Sequence, residues 1–165
     1  MKHTISVLVE NHSGVLSRIS GLFSRRGFNI ESLAVGPTHD RSISRITIVA
    51  DGDDHTVEQI EKQLNKLIDV IKVKTFGRDE YLARELLIVK VAVEADKRSE
   101  LMTIAEITGA SVMDLTLTTM TLVLCDKYDH LKRFEEVIEP YGIIEMVRTG
   151  TVAIEKGSEV FSAKK

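Results

Sequence analysis

The chain has 165 residues, of which 43% are hydrophobic and 28% are charged, so it can bury a core in one domain or in two small ones. Its formal net charge of −3 argues against a nucleic acid or an anionic membrane surface as the main partner. The single cysteine, Cys125, excludes a disulfide framework, and its apolar neighbours predict a buried thiol. The chain leads directly into an alternating strand, and no apolar stretch is long enough to cross a bilayer, so we expect a cytoplasmic protein.

The first 76 residues predict the order β-α-β-β-α-β. Alternating apolar residues predict strands over 4–10, 28–37, 45–51 and 70–76. Apolar residues at helical spacing predict a helix over 13–26, which Gly27 ends, and a second helix with Thr56 and Gln59 in capping-box spacing. This is the order of a ferredoxin-like α+β fold, in which a four-stranded antiparallel sheet carries both helices on one face.

The predicted sheet has apolar residues on both of its faces. They are Leu33, Val35, Ile48 and Val49. Because the two helices cover one face, the other face needs a partner, and we expect dimerisation or pairing with another domain.

The second half of the chain repeats the pattern after a short charged linker. Strands are predicted over 86–93, 111–117, 119–125 and 143–148, with helices over 99–108 and 128–141. A short strand is predicted over 151–154, and the mixed-charge residues after it are expected to fray. The predicted organisation is therefore a domain over 1–76, a linker over 77–84 and a second ferredoxin-like domain over 85–165.

The two predicted domains align at a constant offset of 82 residues (109 − 27), which places Gly27 on Gly109. The same offset places the apolar positions of the first strand on those of the fifth. The differences between the copies are informative, because Gly14 falls on Asp96. A carboxylate there would repel an anionic ligand, so the second domain is not expected to duplicate a site formed at Gly14.

The turn between the first strand and the first helix is the strongest candidate for a ligand site. A helix start leaves backbone N–H groups without internal partners and carries a partial positive charge, so a carboxylate can bind there. Gly14 has no side chain to block the approach. The alternative interpretation is that Asn11 and Ser13 only cap the helix.

Catalytic and metal-binding patterns are absent from the sequence. The five histidines are scattered without metal-ligand spacing, and His12 in the turn is interpreted as a solvated side chain. Asp51, Asp53 and Asp54 resemble part of a calcium loop but lack its remaining ligands. No phosphate-binding loop and no nucleophile–base arrangement is found. We therefore predict no catalytic residues and no metal site, and a binding module rather than an enzyme.

Two segments of the first half, ISVLVENHSGVLSRI (5–19) and LFSRRGFNIESLAV (22–35), resemble the ACT domain. They are more closely similar to the small regulatory subunit of acetohydroxyacid synthase, also called acetolactate synthase. The segments SRITI (44–48) and QIEKQLNKLIDV (59–70) extend the resemblance to about residue 76, and RTGTVA (148–153) suits the same family.

The resemblance implies a non-catalytic regulatory subunit that activates a large catalytic subunit in branched-chain amino acid biosynthesis. The cofactors thiamine diphosphate, FAD and a divalent metal would belong to the large subunit, and this chain would hold none. ACT domains would pair into a homodimer, with valine bound at their interface as the feedback effector. The implied effector-binding residues are Asn11, Gly14, Val15 and Leu16 from one chain and Asn29 and Ile30 from the other.

Two other functions fit the predicted fold. A stand-alone amino-acid-sensing ACT module could act on another enzyme or on a transcription factor, although the sequence offers neither a basic face nor a helix-turn-helix. A small ferredoxin-like enzyme is the third hypothesis, which assaying the isolated chain for turnover would test. The sequence leaves open which branched-chain amino acid is preferred and which surface meets the catalytic subunit.

Overall fold

The computed structural model describes residues 1–77 and 79–163, which form two compact units. The first unit contains Met1–Leu82 together with the C-terminal segment that begins at Thr151, and the second contains Ala83–Gly150. The predicted boundaries placed 151–165 in the second domain, so the structure differs from them at the C terminus. Position 78 of the predicted linker lies outside the described residues. Within the described ranges, no helix has the length and apolar character that crossing a membrane requires.

The first unit has the predicted ferredoxin-like α+β fold. Its elements are β1 (Lys2–Glu10), α1 (Val15–Arg26), β2 (Ile30–Pro37), β3 (Ile43–Asp51), α2 (Asp54–Leu64) and β4 (Val70–Thr75). The strands form an antiparallel sheet in the order β2-β3-β1-β4, which leaves β2 at an edge.

The helices of the first unit cover one face of this sheet. Strand residues such as Ile5, Val7 and Ile48 are fully buried against apolar residues of the two helices, among them Ile19, Phe23, Ile60 and Leu64. Helix α2 is capped by Asp53, whose side chain accepts a hydrogen bond of 2.8 Å from the backbone N–H of Thr56. The predicted capping box of Thr56 and Gln59 is therefore wrong, because the cap lies three residues earlier.

The opposite face of the first sheet is also buried. Alternation along the strands turns Ser6, Thr47 and Val49 away from the helices, yet these residues are at most 8% exposed. The C-terminal segment contributes to covering this face: the carbonyl oxygen of Phe161 accepts a hydrogen bond from Arg45, whose guanidinium carbon lies 5.1 Å from the Phe161 ring centroid. The chain's own C-terminal segment thus covers part of a face for which the sequence predicted another domain or molecule, and dimerisation stays a prediction.

The expectation that residues after 154 fray is also wrong within the described range. Phe161 is 7% exposed, and the side chain of Glu155, only 6% exposed, forms an ion pair with Lys74. The mixed charge of this segment was typical of a solvated tail. In the structure it complements the basic side chains of the sheet face instead.

The second unit repeats the first. Its elements are β5 (Tyr81–Ala92, of which the first two residues are counted in the first unit), α3 (Arg98–Thr108), β6 (Ser111–Leu115), β7 (Thr119–Asp126), α4 (Tyr128–Ile138), a 3-10 turn (Glu139–Tyr141) and β8 (Ile143–Arg148). Strand β9 (Val152–Glu155) lies in the C-terminal segment. The strand order is β6-β7-β5-β8. Helix α4 is shorter than predicted because the chain tightens into the 3-10 turn at Pro140.

The thiol of Cys125 is exposed, so the prediction of a buried cysteine is wrong. Leu122 and Leu124 face the core, and the period of two along β7 turns Cys125 to the other side of the sheet.

Candidate functional site

The turn between β1 and α1 presents an uncapped helix start. Gly14 is the N-cap residue of α1, with φ 89° and ψ −15°, and the helix has no side-chain cap hydrogen bond. The Asn11 side chain points elsewhere, donating from Nδ2 to the carbonyl oxygen of Arg41 at 2.8 Å. The interpretation of Asn11 and Ser13 as caps is therefore not realised. The first N–H groups of α1 keep the positive end of the helix dipole available to an anion.

The backbone conformation at position 14, rather than a lack of space for a side chain, requires a glycine. Its φ lies in the left-handed region, which side-chain-bearing residues rarely adopt. A Cβ placed there would meet no atom within 4 Å. A substituted side chain would therefore have room, and it would occupy the space in front of the helix start.

The two predicted site residues that follow Gly14 differ in exposure. Val15 is 4% exposed and belongs to the core, so it can offer a ligand its backbone N–H but little of its side chain. Leu16 is 43% exposed and offers an apolar surface beside the turn. The structure thus brings Asn11, Gly14, Val15 and Leu16 together at one end of α1.

Asn29 and Ile30 lie at the other end of the same helix. Helix α1 has 12 residues and spans about 18 Å at 1.5 Å per residue. Asn29 is exposed, and Ile30 begins the edge strand β2 and packs partly against the core. A single chain therefore does not bring all six predicted site residues into one place.

An ion-pair network that the sequence analysis did not predict holds the turn in place. Asp69, which is 5% exposed, pairs through one carboxylate oxygen with Arg18, and its other oxygen lies 3.1 Å from Nε2 of His12. The backbone N–H of Glu10 donates to the carbonyl oxygen of Asp69 at 2.9 Å. The interpretation of His12 as a solvated histidine was incomplete, since its ring is half-exposed but paired. The basic and acidic residues were visible in the sequence, but nothing in it indicated that they meet.

Both ring nitrogens of His12 face acceptors. Nδ1 lies 3.0 Å from the carbonyl oxygen of Ser13, and Nε2 faces the carboxylates of Asp69 and Glu10. Only the protonated ring can donate from both nitrogens. The hydrogen bond to Ser13 and the two carboxylates accordingly raise the pKa of His12 above its ordinary value, against the opposing effect of desolvation.

The same side chains also resemble a metal-ligand set. Ligand atoms of Glu10, His12 and Asp69 lie within 4.8 Å of one another. However, Arg18 already supplies a cation to Asp69, and its hydrogen bond is the largest influence lowering the pKa of that carboxyl. The chemistry of the cluster therefore favours an ion-pair network over a metal centre.

Replacing His12 by glutamine is expected to make folding stability less dependent on pH. Because the folded-state pKa is raised, the stabilisation from protonated His12 is complete below the unfolded-state pKa and is lost as the pH rises through the folded-state pKa. Thermal unfolding of the wild type and His12→Gln between about pH 5 and about pH 9 should show a wild-type advantage in acid that disappears in alkali. A difference in Tm that stays constant over this range would contradict the assignment.

Comparison with known proteins identifies the family of the chain. Residues 5–72 match the family model described as an AHAS small subunit-like ACT domain, and residues 84–157 match the one described as small subunit of acetolactate synthase. A probable acetolactate synthase small subunit from Archaeoglobus fulgidus is 45% identical over 159 residues, covering 96% of this chain and 99% of the relative. The chain belongs to the acetolactate synthase small-subunit family.

Other members of the acetolactate synthase small-subunit family agree over the same length. The small subunit from Mycolicibacterium smegmatis is 44% identical over 163 residues, covering 99% of this chain and 96% of the relative. The crystal structure of the small subunit from Thermotoga maritima superposes with a TM-score of 0.89 at 33% identity, covering 96% of this chain and 99% of that one. The resemblance inferred from the sequence and the two-unit ferredoxin-like fold are both confirmed.

The second unit has a turn between β5 and α3 that is equivalent to the β1–α1 turn of the first unit, but its side chains differ. The hydrogen bond from the N–H of Ala92 to the carbonyl oxygen of Gly142, 2.9 Å, matches that from Glu10 to Asp69. The offset of 82 places Glu100 where the first unit has Arg18. Burial, together with a hydrogen bond to Glu100, raises the pKa of Tyr141 to about 12.

The surroundings of this second turn are acidic as well. Glu94, Glu100 and Tyr141 line a cleft of about 560 Å³, together with Lys97. Lys97, the N-cap residue of α3, has an ordinary negative φ of −93°. The second helix start therefore has no left-handed glycine at its N-cap, and Glu100, paired with Lys97 at 3.2 Å, stands where the first unit has Arg18.

Proposed function

We propose that this chain is the non-catalytic regulatory subunit of acetolactate synthase. In this proposal it activates the large catalytic subunit and makes it sensitive to feedback by valine, or by another branched-chain amino acid. Thiamine diphosphate, FAD and the divalent metal belong to the large subunit. Membership of the small-subunit family supports the large subunit as the partner, and the geometry of the β1–α1 turn supports the binding of an amino-acid effector.

The observation that carries the effector proposal is the uncapped start of α1 at Gly14. A free amino acid offers a carboxylate, an ammonium group and a side chain. The N–H groups of the helix start can bind the carboxylate without displacing a capping side chain. The exposed apolar surface of Leu16 lies next to this position.

The ammonium group and the remaining apolar contact are assigned to a second copy of the chain. Asn29 has an amide oxygen that can accept from an ammonium group, and Ile30 can contact the effector side chain. These residues lie at the far end of α1 and on the edge strand β2, so their own turn is out of reach. Two copies paired through their first units would bring the turn of one chain to Asn29 of the other. Complete burial of the valine side chain would contribute about 1.5–3 kcal/mol.

A site shared between two chains also accounts for regulation. An effector changes activity only if it binds one arrangement of the assembly more tightly than another. When the two halves of the site come from different chains, any shift between the chains changes its geometry. Effector binding would then favour the arrangement in which the halves fit.

The test is reconstitution with the large subunit of the same organism. Acetolactate formation is measured with and without this chain, and then with valine, leucine or isoleucine. Calorimetry on the chain alone measures effector binding, and light scattering measures its mass. We expect stimulation by the chain, inhibition by a branched-chain amino acid and a dimer or multiple of a dimer.

Each alternative gives a different outcome. A stand-alone sensor would bind the amino acid without stimulating the large subunit. A chain that neither stimulates the enzyme nor binds any of the three amino acids would refute the proposal.

A further inference from the structure

Strand β2 contains an irregularity next to the proposed effector site. Ile30 pairs with Ala50 of β3, whereas Ser32 pairs with Val49, so the register shifts between these two residues of β2. Such a bulge interrupts the ladder locally and changes the direction of the strand. The irregularity thus separates Ile30, a residue of the proposed site, from Ser32.

Ser32 is bonded to the C-terminal segment. Its hydroxyl oxygen accepts a hydrogen bond of 2.9 Å from the backbone N–H of Thr151. Thr151 is the first residue of that segment, directly after Gly150, the last residue of the second unit. The start of the C-terminal segment is therefore attached to the strand that begins with Ile30.

Farther along, the C-terminal segment has further contacts within the first unit. The N–H of Lys156 donates to the carbonyl oxygen of Glu80 at 2.9 Å, and Glu155 pairs with Lys74 of β4. Arg45 and Lys72 place their charges 5.1 Å and 5.3 Å from the centroid of the Phe161 ring. The contacts with Arg45, Lys72 and Lys74 hold the segment against β3 and β4, whereas the contact with Ser32 lies beside the bulge.

We infer that the hydrogen bond between Ser32 and Thr151 transmits effector occupancy from the start of β2 to the C-terminal segment, with Ser32 as a positioning residue. This inference rests on the proposed function. An effector that contacts Asn29 and Ile30 favours one geometry of the adjacent bulge, and that geometry sets how well the Ser32 hydroxyl meets the Thr151 N–H. A neutral hydrogen bond of ordinary strength corresponds to about a fivefold change in an equilibrium constant, which is the expected size of the coupling.

The experiment compares Ser32→Ala with Ser32→Thr and Ser20→Ala in the full-length chain. Ser20 is an exposed helix residue whose hydroxyl donates to the Ser17 carbonyl oxygen, so Ser20→Ala is a matched control. For Ser32→Ala we expect the valine Kd of the isolated chain and the valine concentration that half-inhibits the reconstituted enzyme both to rise about fivefold, because the coupling between valine binding and the hydrogen bond is reciprocal. Ser32→Thr, which keeps a hydroxyl, and Ser20→Ala should both behave as the wild type.

Amide hydrogen exchange at Thr151 provides the second measurement. Saturating valine should slow exchange of this N–H in the wild type and in Ser20→Ala, but not in Ser32→Ala. An exchange rate that valine leaves unchanged in the wild type would overturn the inference. So would a Ser32→Ala chain that binds valine as tightly as the wild type, because a hydrogen bond coupled to valine occupancy must contribute to valine affinity. A wild-type chain that binds no valine would show separately that the proposed function is wrong. The inference, which rests on that function, would then be wrong as well.

Discussion

Gly14→Asp is expected to abolish valine binding by the isolated chain, with a loss of roughly a hundredfold or more in affinity. The new carboxylate would occupy the open space in front of α1 and would take the helix N–H groups that the valine carboxylate needs. Its negative charge would repel the ligand as well. Calorimetry with valine measures the loss directly, and the variant should still stimulate the large subunit, because Gly14 is exposed and an added side chain there would not disturb the packing of the first unit.

The control for this variant is Gly14→Asn. Asparagine and aspartate are of similar size and tolerate the left-handed conformation better than most other residues, so both variants carry the same backbone strain. Only the aspartate adds charge. Gly14→Asn should therefore weaken binding much less, and equal losses in the two variants would show that strain, not charge, is responsible. Unchanged valine binding by Gly14→Asp would refute the site.

Arg148→Ala is expected to destabilise the second unit by about 3 kcal/mol. The guanidinium Nε of Arg148 donates to Glu85 at 2.7 Å, and the Glu85 side chain is only 5% exposed. Removing Arg148 leaves a buried carboxylate without its cation, which costs more than the pair itself contributes. Tyr128 also stacks on the guanidinium, with 5.0 Å from the guanidinium carbon to the ring centroid.

Urea unfolding of single and double variants tests this prediction. Replacing both partners, as Glu85→Leu with Arg148→Met, should destabilise less than Arg148→Ala, because no charge is left buried. Lys62→Ala is the matched control, since Lys62 pairs with Glu58 at 2.6 Å but both side chains are more than half exposed. Its effect should stay within about 0.5 kcal/mol. A double variant as unstable as the single one would contradict the buried-charge explanation.

Local patterns were sufficient to predict the two sheets and four helices. Residues such as Ile5 and Val7 alternate between faces, and Ile19 and Phe23 recur at helical spacing, because each pattern follows from the geometry of its own element. The turn at Gly14 was predictable for the same reason. A polar turn between a strand and an amphipathic helix defines a helix start within a few residues.

Contacts between distant parts of the chain were not predictable. Arg18 and Asp69 are 51 positions apart, and Arg45 and Phe161 are 116 apart, so no local pattern links them. The sequence therefore contained the charges of the network around His12 without indicating their pairing. One face of the first sheet was predicted to need a partner, but nothing in the sequence indicated that residues after Thr151 cover part of this face. Asn29 and Ile30 were assigned to the site by family resemblance alone, and their role stays a prediction.

The contact of Phe161 with Arg45 has a consequence for biosynthesis of the chain. During translation the first sheet is complete long before its last covering residues leave the ribosome. Until then the buried face that includes Ser6 and Val49 lacks the part of its cover that Phe161 supplies. Closure of this face must therefore wait until Phe161 has left the ribosome, and until then the nascent chain exposes apolar surface to which chaperones can bind.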